Sequence, residues 1–99
     1  MIKVKVSKDI ISITGHANYA EYGKDIVCAS VSSVVMTSIE GISIINESAL
    51  DVNQVKDNLI IKINLHDDII DKLITNMFNC LKEIEKQYPK NIKITNREE

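Results

Sequence analysis

Tryptophan is absent from this 99-residue sequence, proline occurs once, glycine three times, and aromatic residues make up only 4%. No internal repeat and no low-complexity linker interrupts it. Cysteine occurs twice, too few for the disulfide framework of a small secreted domain, so Cys28 and Cys80 read as separate thiols in a reducing compartment. The opening MIKVKVSKDI lacks the continuous apolar centre of a signal peptide, and no uninterrupted apolar run is long enough to cross a bilayer. A cytoplasmic protein without a membrane partner is expected. The formal net charge of -2 shows no surplus of lysine and arginine, which gives no general reason for direct nucleic-acid binding.

What is present is an ordinary globular balance, 44% hydrophobic and 26% charged, in a chain of one-domain size. A single domain over residues 1–99 is expected. Ile2, Val4 and Val6 alternate with Lys3 and Lys5, the period of a strand with one buried face. Ile11, Ile13 and Gly15 continue as a second strand of a hairpin, ending near His16. Residues 17–24 have no period and read as a loop. A long apolar stretch from Asp25 to Ile42 predicts a buried helix with Asp25 as N-cap, Cys28 in its first turn, and Gly41 weakening or ending it. Val52 and Val55 mark a weak strand, Asp57-Asn58 a turn, and Leu59, Ile61, Ile63 and Leu65 a clear strand. Asp67 or Asp68 then caps a helix through Ile70, Leu73, Ile74, Met77, Phe78, Leu81 and Ile84, stopping before Pro89, with a short strand at Ile92 and Ile94. The order ββαββαβ predicts an α+β domain, its two helices packed on one face of a mainly antiparallel sheet.

Chemistry concentrates in GHANYAEYGKDIVCASVS, residues 15–32. Unpaired N–H groups at a helix start favour a thiolate, so Cys28 is a candidate nucleophile, with His16 placed to accept its proton. The same residues also read as a small buried hydrophobe on an apolar helix and a histidine that merely ends a strand. Asp25 is open between orienting His16 and capping the helix; Ser32, one turn beyond Cys28, is open between lining the site and packing. Gly15 and Gly23 are candidate hinges, and Tyr19 and Tyr22 are either substrate contacts or surface aromatics.

Gly15-His16, Gly23, Asp25-Ile26-Val27-Cys28-Ala29 and Ser32 together resemble the signature of the ribosomal-processing cysteine protease Prp family, also called YsxB-like. The resemblance is dense over residues 15–32 and elsewhere covers length and element order. It implies a cysteine endopeptidase with Cys28 as nucleophile and His16 as its partner, a homodimer, and no cofactor. It also implies a substrate: the N-terminally extended precursor of large-subunit ribosomal protein twenty-seven, cut after a hydrophobic, aromatic-containing motif. The alternative is a precursor-binding or ribosome-assembly protein of the same fold without turnover. A redox sensor using Cys28 lacks a nearby resolving cysteine. Cys80 is expected in the core among Met77, Phe78, Leu81 and Ile84, and His66 as a solvated or capping residue; His66, Asp67 and Asp68 lack further ligands for a metal.

Overall fold

The computed structural model describes residues 1–21 and 23–96. Alternation at the start forms β1 (Ile2–Val6), with Ile2 and Val4 buried and both lysines in solvent, and β2 (Ile10–Thr14), whose Ile11 and Ile13 point the same way. After α1 (Ile26–Ile45) come β3 (Leu50–Val55), β4 (Asn58–Ile63), α2 (Asp68–Gln87) and β5 (Ile92–Asn96). The sheet runs β3-β4-β2-β1-β5, antiparallel except where β5 lies parallel to β1, and the helices pack against each other on one face. This is the expected α+β arrangement.

Burial explains why the patterns resolve this way. Val4, Ile11, Ile61 and Ile92 from four strands meet Val27, Val31 and Val35 of α1 and Met77 and Leu81 of α2 in one apolar cluster. Each such side chain removed from water contributes about 1.5–3 kcal/mol, which offsets the modest helix propensity of α1's β-branched residues. In α2 the spacing of Ile70, Met77 and Leu81 puts a single stripe inward. Asp67 accepts the Ile70 N–H as N-cap, Asp68 and Asp71 sit at the positive end, and Lys86 at the negative end.

Several expectations are corrected. Gly41 does not end α1, which runs to Ile45: a mid-helix glycine costs only about 1 kcal/mol against alanine, and Ile42 beside it is fully buried. Nor is α1 buried all round, since Ile26, Met36, Ile44 and Ile45 lie in solvent. By length and composition α1 could cross a bilayer, a property its serines and Glu40 hide in the sequence; here its inner face carries the core. The β3–β4 turn is Lys56-Asp57 rather than Asp57-Asn58, because Asn58 pairs with Val55 as the first rung of the ladder. Leu65 lies beyond the strand, and Cys80 is exposed because it falls on the outer side of the α2 stripe.

The register positions the site. β2 and β4 pair through Ile13↔Leu59, so continuing it carries the end of β2 alongside the β3–β4 turn. The end of β2, that turn and the start of α1 converge at one side of the sheet.

Candidate active site

Gly15 turns the chain out of β2. Its φ is +85°, and a β-carbon there would lie 2.5 Å from the Met1 carbonyl oxygen, so the backbone passes where only glycine fits. His16 follows in solvent, Ala17 is buried, and Asn18 takes a left-handed φ of 55°. The segment returns to α1 through Asp25. One carboxylate oxygen accepts the N–H groups of Val27 and Cys28, each at 3.0 Å; the other accepts those of Tyr19 at 3.0 Å and Ala20 at 3.3 Å. The Cys28 N–H is the foremost cause of an Asp25 pKa below the usual carboxylate value; partial desolvation opposes it, and the Tyr19, Ala20 and Val27 amides add to the lowering. Asp25 therefore caps the helix and folds the loop together. None of its hydrogen bonds among the described residues goes to His16.

Cys28 is half-buried in the first turn of α1, where its Sγ accepts the Ala17 N–H at 3.3 Å. The Ala17 carbonyl in turn accepts the Asn91 side-chain amide at 3.0 Å, and the Tyr19 ring meets Tyr88 edge-on with centroids 5.3 Å apart. The loop is thus fastened to the α2–β5 corner. His16 Nε2 lies 2.9 Å from Asp57 Oδ2, within ion-pair distance; among the described residues no hydrogen bond joins His16 to Cys28.

Cys28 lies where two lobes of a cleft meet, with His16 and Ser32 on the shared wall. One lobe, about 460 Å³, is lined by the apolar Ile2, Ile13, Val31, Val35, Met36 and Leu59 together with Gln54, Lys56 and Asp57. The other, about 560 Å³, is lined by the smaller or polar Asn18, Ala20, Gly23, Asp25 and Ala29. Ser32 is exposed between the lobes, Gly23 has a φ of +86°, and Tyr19 is about half exposed against Tyr88. Tyr22, the other tyrosine singled out from the sequence, lies outside the described residues.

Two participants were not legible in the sequence. Asp57 reaches His16 only through the β2–β4 register, and Asn91 reaches Ala17 across the whole fold. His66 is no merely solvated residue: its two ring nitrogens meet Asp71 and Asp9, each at 2.8 Å, clamping the β1–β2 turn to the start of α2. Among the described residues no cluster of three or more His, Cys, Asp or Glu side chains is arranged to hold a metal ion.

Comparison with known proteins bears on this arrangement. The family profile described as Cysteine protease Prp matches residues 1–93. The ribosomal processing cysteine protease Prp of Staphylococcus aureus is 33% identical over 90 residues, 87% of this chain and 83% of that protein. The Bacillus subtilis protein of the same name is 33% identical over 97 residues, covering 89% and 87%. The crystal structure of the S. aureus protease with a covalently linked product peptide superposes with a TM-score of 0.92 at 27% identity, over 98% of this chain and 100% of that one. The same protease with a substrate peptide superposes at 0.85 with 26% identity, over the same shares. With a thiol at a helix start, a histidine beside it and a trough between them, the chain belongs to the Prp family of ribosomal-processing cysteine proteases.

Proposed function

We propose that this protein removes the N-terminal extension from the precursor of large-subunit ribosomal protein twenty-seven, working as a homodimer in the cytoplasm and without a cofactor. The observation that carries the reading is the position of Cys28: at the start of α1, its sulfur meeting the Ala17 N–H, on the wall that both lobes and His16 share.

The thiol passes its proton to the His16 imidazole, and the sulfur attacks the scissile carbonyl carbon. The C–N bond breaks as the imidazolium returns that proton to the leaving amine, which departs as the mature N-terminus. A water then gives its proton to His16 and attacks the thioester carbonyl; the C–S bond breaks, the thiolate recovers the proton, and the extension leaves as a carboxylic acid. The apolar side chains of the first lobe suit the hydrophobic and aromatic residues preceding the cut. Ser32 and Tyr19 are the nearby side chains assigned to the peptide walls, and Gly15 and Gly23 fix the loop between base and nucleophile. Exposed Met36, Ile44 and Ile45 on α1 and Val52 on the edge strand β3 support self-association. Light scattering on the eluting protein measures it.

Incubating the protein with a peptide spanning the extension junction, followed by mass spectrometry, tests the reading. A single cut is expected, abolished in Cys28→Ala and absent with a scrambled peptide. Cleavage that persists in Cys28→Ala, or an intact junction peptide with wild-type protein, overturns it.

A further inference from the structure

We infer that Asp57, at the tip of the β3–β4 hairpin, is the residue that positions His16 for proton transfer; the inference deepens the proposed peptidase mechanism and rests on it. Asp57 Oδ2 lies 2.9 Å from His16 Nε2, and because a carboxylate oxygen can only accept, attraction between the two favours the forms of the ring that carry a proton on Nε2. Nδ1 is left as the ring nitrogen that can take the thiol proton. An exposed histidine side chain samples many orientations, and its working tautomer is set by what the other nitrogen meets. Asp57 supplies that partner, whereas both oxygens of Asp25 are already occupied by backbone N–H groups.

The fold supplies the placement in two steps. The β2–β4 register brings the end of β2, and hence His16, level with the hairpin tip. The tip is a two-residue turn between the paired Val55 and Asn58, and Lys56 within it adopts a φ of 56°. That left-handed conformation disfavours a lysine, and this turn carries neither the glycine nor the asparagine usual there. Lys56 and Asp57 both border the apolar lobe, so the turn forms a rim of the trough as well as the seat of His16.

The pair is exposed on both sides, about 55% for His16 and 59% for Asp57, and exposed ion pairs contribute little to stability. A structural role and a positioning role therefore separate cleanly. In Asp57→Ala the melting temperature should stay put while kcat falls roughly ten- to hundredfold with KM little changed, a part of what general acid-base catalysis supplies. Asp57→Asn keeps an acceptor for Nε2–H and should recover most of the loss.

A second readout does not depend on the substrate. The rate of Cys28 alkylation by iodoacetamide is followed against pH in a Cys80→Ser background, because Cys80 is also an exposed free thiol. Asp57→Ala should lower the alkylation rate across the neutral range, and Asp57→Asn should lower it less. An unchanged kcat together with an unchanged alkylation profile in Asp57→Ala overturns the inference, as does a loss confined to KM. If the profile moves as expected but wild-type protein leaves the junction peptide uncut, the His16–Asp57 pair stands and the substrate reading fails.

Discussion

Replacing Gly15 with alanine tests how tightly the catalytic loop is bound to the first strand. The added β-carbon would sit 2.5 Å from the Met1 carbonyl oxygen, short of ordinary contact by about 0.9 Å. A φ of +85° adds a backbone penalty of roughly 1–2 kcal/mol for an L-residue. Crowding against a carbonyl beside the β1 ladder adds about 1–3 kcal/mol. Together they give about 2–5 kcal/mol, which for a domain of this size lowers the melting temperature by roughly 10–30 °C. The chain can relieve the overlap by lifting residues 15–17 off Met1, but that moves His16 from Asp57 and the Ala17 N–H from the thiol, so relief appears as lost kcat. Gly23→Ala is the internal comparison: its φ is +86° with open space around the new methyl, so it incurs the backbone penalty alone. Calorimetry and peptide-cleavage kinetics on both variants measure the two parts. A Gly15→Ala protein with wild-type melting temperature and wild-type kcat/KM refutes the reasoning.

Three further outcomes follow from the hydrogen bonds. His66 faces a carboxylate at each nitrogen, so both ring protons are held and its pKa lies above 6.5, chiefly through Asp71 and then Asp9. The raised folded value means the clamp's stability is whole below the unfolded pKa and disappears as pH rises through the folded one; the melting-temperature gap between wild type and His66→Ala should be wide below pH 6.5 and narrow as pH rises above it. A gap equal at both ends contradicts the assignment. Asp25→Ala should raise hydrogen exchange at the Tyr19, Ala20, Val27 and Cys28 amides together, since one carboxylate holds all four. Because its folded pKa is lowered, that contribution is complete above the unfolded value near 3.8 and fades as pH falls through the folded one; an unchanged exchange pattern excludes it. Asn91→Ala should cost about 0.5–1.5 kcal/mol for the lost bond to Ala17 and lower kcat, whereas stability loss with unaltered kinetics shows that the tie is purely structural.

The sequence disclosed whatever is encoded by local periodicity. Alternation in β1 and β4, the α2 stripe and the Asp25 and Asp67 caps all come from neighbours within a turn or a rung, and they appear where the pattern puts them. The placement of Cys28 in the first turn of a helix and of His16 just past a strand was legible because a helix start and a strand end are local features. What escaped depends on pairing between distant segments. The Asp57 contact follows from a strand register that no residue near position 57 announces, and the displaced turn at Lys56-Asp57 was hidden by a lysine in a conformation usually left to glycine or asparagine. Cys80 misled for a related reason: apolar neighbours in sequence point to different sides of a helix, and a one-residue offset separates buried Leu81 from an exposed thiol. His66 gained its role only when Asp9, far away in sequence, folded against it.

The Asn91 bond to Ala17 joins residues 74 apart, and Asn91 opens directly into the strand that lies parallel to β1. The segment that carries the Ala17 N–H to the sulfur is therefore braced by a residue synthesised long after it. A growing polypeptide already holds Cys28 and His16 once α1 has been made, yet it cannot set the wall around them until residues 91–96 have docked. The thiol and the imidazole are thus made well before the residue that braces the wall around them, and a nascent copy carries its thiol through that interval without a completed site in which to use it.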